Sequence, residues 1–314
     1  MTQIVLIGVG AGAASALLFA SIASGSLLSI FLFYVAPLPI LIAALGWSHW
    51  AAAIAALSAA TSLAAVFGGM FFIAFMVGTG VPAWWLGYLA MLARPGGSGA
   101  LEWYPPGRLV LWCAGFAVLI ISIGILTFGT DLDTFNAEMR KGLERVVQFR
   151  PDTSTTEKTN QTQLIEFMVA VLPSAAGVLA TVTNVLNLWL AARIVKFSGR
   201  LQRPWPELPA ISFPRATAAV LAIAIALTFA GGMAGLLATV TSAALVVAYG
   251  ILGFAVLHAL TRGTKGRPLV LGATYAAVVM FFWPVVALCM LGLADTAIDL
   301  RGRAANKRGP PTIS

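Results

Sequence analysis

The chain has 314 residues, 60% of them hydrophobic and 10% charged, with a formal net charge of +8 and a mean hydropathy of +0.93. A soluble domain carries about 25% charged residues, so this composition excludes a soluble globular enzyme and predicts a polytopic membrane protein. The positive balance does not point to nucleic acid, because the bases lie in short loops beside apolar spans, where membrane topology accounts for them.

A bilayer-crossing helix needs about 20 mostly apolar residues. Nine candidate spans meet that rule: 4–23, 27–46, 50–67, 70–92, 108–129, 164–195, 214–230, 233–261 and 268–298. The fold class expected is therefore all-α: a polytopic integral membrane helical bundle of about eight or nine transmembrane helices. Four segments follow. Residues 1–129 form an N-terminal transmembrane block, 130–163 a polar insert, 164–300 a C-terminal transmembrane block, and 301–314 a disordered tail. Met1-Thr2-Gln3 carries no base and the apolar run from Ile4 is long, so the start reads as a first membrane helix and not as a cleavable signal.

The first span sets Gly8, Gly12, Ala16, Ala20 and Ser24 four residues apart, on one helix face. Such a face lets another backbone approach closely. It serves either internal packing or docking of a partner subunit. In the second span, Tyr34-Val35-Ala36-Pro37-Leu38-Pro39 breaks or bends the helix, because proline removes backbone donors. Broken membrane helices occur where protein or a wet cavity receives the freed carbonyls, so this is a packing kink or the edge of a cavity. The fourth span holds Gly78-Thr79-Gly80-Val81-Pro82 and then Trp84, Trp85 and Tyr88, which suits a re-entrant or interfacial segment. Residues 94–108 read as a Gly/Pro-rich loop.

The insert is the longest polar stretch. Residues 130–163 hold six acids and five bases. Thr130-x-x-Asp133 resembles a capping box, and Leu132, Phe135, Met139, Leu143 and Val146 recur at helical spacing. Residues 131–148 are expected to form an amphipathic helix on the membrane surface, and the Thr-rich 150–163 a flexible linker. Next, Glu166 lies at the entrance of the sixth span and Pro173 interrupts it. Thr181 and Asn184 share one face, with Asn187 a turn on. Amides in hydrocarbon need partners. They are either interhelical hydrogen-bond donors or contacts for a small-molecule ligand or ion. The loop Arg203-Pro-Trp-Pro-Glu-Leu-Pro is extended and anchored by its prolines and flanking bases. In the last span, Trp283-Pro284 predicts a kink in a helix about 47 Å long. Asp295 and Asp299 follow one turn apart, and then Arg301. This is a cation- or proton-binding pair, or a helix end in which Arg301 pairs one Asp.

Cys113 and Cys289 fall inside apolar spans as small buried side chains. His49 and His258 stand alone, and no metal-ligand spacing exists, so no metal or other cofactor is expected. Neither H-E-x-x-H nor G-x-S-x-G occurs, and no paired carboxylates lie mid-span, so the chain is not expected to be an enzyme. With the N-terminus inside, ten Lys/Arg face the cytoplasm and nine the other side, whereas nine of eleven acids lie on the second side. The positive-inside count is nearly tied, and the acids favour the N-terminus inside.

The order of these features resembles the uncharacterised YybS-like membrane proteins of bacteria, a domain-of-unknown-function family numbered 2232. The matching pieces are the small-residue first helix, the APLP of 36–39, the N-x-x-N-x-x-x-x-x-R of 184–193, the proline-rich loop ending at Pro214, and LGLADTAIDLRGR at 291–303. The family is distantly similar to the S components of energy-coupling-factor vitamin transporters and to MreD-type rod-shape proteins. The first likeness implies a substrate-binding transport subunit of the bacterial cytoplasmic membrane. Its Ala16-Leu-Leu-Phe-Ala20 would dock on an energising membrane partner, and its ligand would be a small molecule. The second implies a non-transporting scaffold for envelope or division proteins. In both, the lipid bilayer is the immediate partner.

Overall fold

Seven helices of the computed structural model are long and apolar enough to cross a bilayer, among the described residues 1–97, 99–146 and 155–308. The helices are α1 (Thr2–Ala20), α2 (Leu27–Val35), α3 (Leu38–Gly46), α4 (His49–Phe67), α5 (Gly69–Phe75), α6 (Val81–Ala90), α7 (Pro106–Phe128), α8 (Leu132–Val146), α9 (Thr155–Phe197), α10 (Ala216–Thr228), α11 (Gly232–Leu260), α12 (Arg267–Phe281), α13 (Pro284–Ile298) and α14 (Leu300–Arg308). The chain is an all-α polytopic membrane bundle.

Two of the nine expected spans do not form long helices. The seventh contracts to α10, thirteen residues long. The ninth splits into α12 and α13 at Phe282, which takes a left-handed φ of 58° ahead of Trp283-Pro284. Proline cannot donate within the ladder, so the helix restarts with Pro284 in its first turn. The fourth span, by contrast, is long and apolar enough to cross. It runs helically from Gly69 to Ala90 through a π-turn at Met76–Gly80. The Val81 N–H reaches back to Met76 O, an i→i−5 bond, one residue before Pro82.

Other local expectations shift. The capping residue of α8 is Asp131, not Thr130: its Oδ1 accepts from the Thr134 N–H at 2.9 Å. Residues 155–163, expected as linker, open helix α9, which continues through Pro173. The start of the tail is helical as α14. The rest of the linker and tail, 147–154 and 309–314, lie outside the described residues. The Gly/Pro loop contains an antiparallel hairpin of β1 (Ala93–Pro95) and β2 (Leu101–Trp103), with Arg94 opposite Glu102.

The chain forms two compact units, and neither is one of the sequence blocks. Unit 1 is 1–116 with 182–212, and unit 2 is 117–181 with 213–314. The division falls within α7 and within α9. In unit 1, α1 packs along α4. Alanines 51, 52, 55, 56, 59 and 60 give α4 a flat buried face, and small residues are what allow such close approach in lipid. In unit 2, α11 packs on α13. A Cβ on Gly253 would strike the Leu288 carbonyl, and one on Gly292 would lie 2.6 Å from Tyr249 O. Also in unit 2, α8 turns Phe135 into a cluster with Ile125 of α7 and Val240 of α11, with Met139 beside it. The apolar stripe expected to lie on the membrane surface is thus covered partly by protein.

Candidate functional site

Two buried polar side chains of unit 1, Ser15 and Asn187, meet at the proline break in the second span. Pro37 and Pro39 have no N–H, so the ladder between α2 and α3 is interrupted. Side chains take the carbonyls left there. Ser15 Oγ, fully buried on α1, donates to Ala36 O at 2.6 Å. Asn187 Nδ2 on α9 donates to Tyr34 O at 2.8 Å and to Thr183 O of its own helix at 3.0 Å. Both amide hydrogens of Asn187, a residue only 4% exposed, are therefore used. Asn184 Nδ2 donates to Cys113 O on α7 at 3.2 Å.

The expected substrate-contact set is not brought together in one unit. Asn184 and Asn187 belong to unit 1, whereas Thr181 and Glu166 belong to unit 2. Thr181 is buried and its hydroxyl donates to Gly177 O, the preceding turn of its own helix, at 2.8 Å. Glu166 is exposed and lies 3.5 Å from Arg140 of α8. Each of the four residues contacts other protein groups and not one another.

Of the two roles open to the small-residue face of α1, internal packing is the one the structure displays. Gly8 and Gly12 point at α4: a Cβ on Gly8 would meet Ile54 and Ala51 O, and one on Gly12 would meet Ser58 and Ala55 O. Ala16 is buried on the same face, and Ala20 is half-buried at its end. The ladder is consumed by packing inside unit 1 and is not free for a partner subunit. A glycine ladder encodes close approach, not the identity of the approaching helix.

At the end of unit 2, Asp295 is buried and accepts from the Arg301 backbone N–H at 3.1 Å and from its Nε at 3.0 Å, with Nη2 at 2.7 Å. Asp299 is turned elsewhere. It closes α13 in a left-handed conformation and accepts from the Gly302 N–H at 3.1 Å. The two carboxylates serve different partners.

A second constellation was read from sequence only as an anchored loop. The helix ends at Gly46 and Ala90, the hairpin and the loop 198–212 meet at one end of unit 1. Arg203 donates from Nη1 to Ala90 O at 2.9 Å and from Nη2 to Tyr104 O at 2.7 Å. Burial lowers its guanidinium pKa from the ordinary value. Arg200 donates from Nε to Gly46 O at 3.2 Å and lies 4.4 Å over the Trp47 ring. These arginines cap the C-terminal carbonyls of α3 and α6, where the helix dipole favours a cation. Beside them a surface cup of about 460 Å³ is lined by Trp47, Ser48, His49, Tyr88, Trp103 and Gln202. The signal available in the sequence was aromatic residues at the helix ends together with the bases of 193–203.

A family model described as "Predicted membrane protein (DUF2232)" matches residues 13–296. No curated protein and no solved structure matches the chain.

Proposed function

We propose a role on the premise that the chain belongs to the DUF2232 family of predicted membrane proteins, whose model covers most of its length. Unit 1 acts as a rigid, membrane-embedded platform on which other envelope or division proteins assemble, in a bacterial cytoplasmic membrane. It is neither an enzyme nor itself a solute carrier. The observation that carries this reading is the Asn187 bond to Tyr34 O across the proline break. The amide that would serve a ligand instead braces the bundle, and the same logic holds for Asn184 and for the Gly8/Gly12 face. Arg200 and Arg203 lock the polar end in the same way. The result is a pre-formed surface rather than a mobile gate.

Orientation follows from unit 1 taken alone. Arg94, Arg108, Arg193, Lys196, Arg200 and Arg203 flank one end, whereas the connections 21–26 and 68 at the other carry no charge. The positive-inside rule then puts the basic end in the cytoplasm. A second reading, a substrate-binding transport subunit, draws support from the broken α2–α3 span and the π-turn before α6. Discontinuous helices line binding sites in many transporters.

The test is gentle affinity purification in lipid nanodiscs, with mass spectrometry of co-purifying proteins and small molecules. Envelope or division proteins without a retained metabolite are expected. An ATPase-linked membrane partner or a retained metabolite would overturn the platform in favour of the transport subunit.

A further inference from the structure

We propose that the last turns of α9 and the loop that follows bind the phosphate headgroup of an anionic phospholipid, with Arg193 and Lys196 held over Trp205. The Arg193 guanidinium carbon lies 5.4 Å from the Trp205 ring centroid, and Lys196 Nζ lies 4.7 Å from it. Arg193 is also 5.7 Å from the Trp189 ring. Two cations on one indole repel each other, and a π-face attracts charge without taking up directed N–H bonds. Among the described residues no ion pair holds either cation. Their donors therefore stay available for an oxyanion that relieves the repulsion.

The surroundings select a lipid over a soluble anion. Trp189, Arg193 and Lys196 follow at i, i+4 and i+7, one helix face. A surface hollow beside them is lined by Arg193, Ile194, Lys196 and Phe197. Phe197 is 97% exposed, and Trp189 and Ile194 are exposed as well. A soluble phosphate would gain nothing from that apolar rim, whereas acyl chains would cover it. Trp at the interface with adjacent bases is the arrangement that meets a headgroup. The inference rests on membrane insertion and on the charge of this end, not on the platform role, so each can fail without the other.

The experiment is native mass spectrometry of the full chain in detergent, titrated with phosphatidylglycerol or phosphatidylcholine. The wild-type protein is expected to retain phosphatidylglycerol preferentially. Each juxtamembrane base near an anionic surface contributes about 1 kcal/mol, or about fivefold, so R193Q/K196Q should bind about thirtyfold more weakly. R94Q/R108Q removes the same charge from the same end and should change binding less than about twofold. W205F should bind as wild type and W205A more weakly. Equal loss in the two double variants, or competition by millimolar glycerol phosphate, would overturn the site. Should R193Q/K196Q not fold, the wild-type comparison still decides: no preference for phosphatidylglycerol over phosphatidylcholine refutes the proposal.

Discussion

Replacing Asn187 by leucine tests the brace directly. Leucine keeps the branched shape and heavy-atom count but removes both donors. The Thr183 carbonyl loses little, because it lies one turn back in a continuous helix. The Tyr34 carbonyl is different: it sits at the Pro37 break and its partner is 153 residues away in sequence. A buried carbonyl left without a donor costs about 1–3 kcal/mol. Side-chain hydrogen bonds between membrane helices average about 0.6 kcal/mol with a maximum near 1.7. Asn187→Leu should therefore destabilise unit 1 by about 1–2 kcal/mol. Ser15→Ala removes the donor to the neighbouring Ala36 carbonyl and should cost a similar amount. Because both donors support one break, the double variant should depart from additivity by about 0.5 kcal/mol or more. Reversible unfolding in mixed micelles would measure all three. An Asn187→Leu protein as stable as wild type would refute the brace, since the carbonyl would then have found another donor.

Other predictions are more local. Gly12→Ala should destabilise by about 1–3 kcal/mol through overpacking, since its Cβ meets Ser58 and Ala55 O. Gly10→Ala, with open space around it, should gain up to about 1 kcal/mol from helix propensity; equal effects would refute the α1–α4 contact. Arg203→Gln should lose about 2 kcal/mol or more, because hydrogen bonds from a charged donor contribute about 1.5–3 each, and limited proteolysis should then cut within 198–212. Asp295→Ala removes the buried carboxylate that accepts from the Arg301 N–H and Nε, at a cost of about 1–3 kcal/mol, and hydrogen exchange should show α14 opening. Thr134's N–H holds the Asp131 carboxyl below its usual range, so the cap's stabilisation is present above the unfolded-state pKa and lost as pH falls through the lower folded value. The Thr134 amide resonance should report that titration, and Asp131→Asn should abolish it; a midpoint at the ordinary carboxylate value would contradict the cap.

What could be read from the sequence was what is encoded locally. Pro37, Pro39 and Pro284 announce broken helices because the missing N–H is a property of the residue itself. The spacing from Leu132 to Val146 announces α8 for the same reason. The partners of those elements were not legible. Nothing near Asn187 names Tyr34, and nothing near Phe135 names Val240, because such pairings are set by which helices the fold brings side by side. Nor did hydropathy reveal how far each apolar run stays helical: 268–298 is as greasy as the other spans, yet Phe282 interrupts it. The role of Arg200 and Arg203 was hidden because a base in a loop looks alike whether it faces water or caps a helix.

Helix α10 carries one more consequence. Its thirteen residues reach about 20 Å, against about 30 Å of hydrocarbon. The turn after it bonds the Phe229 and Ala230 N–H groups to the carbonyls of Ala226 and Leu227 before α11 begins at Gly232. A helix this short makes bilayer thickness a thermodynamic variable for unit 2. Hydrophobic mismatch costs fractions of a kcal/mol per ångström, so the acyl-chain length of the surrounding lipid tunes the stability of this half of the protein as a ligand concentration would.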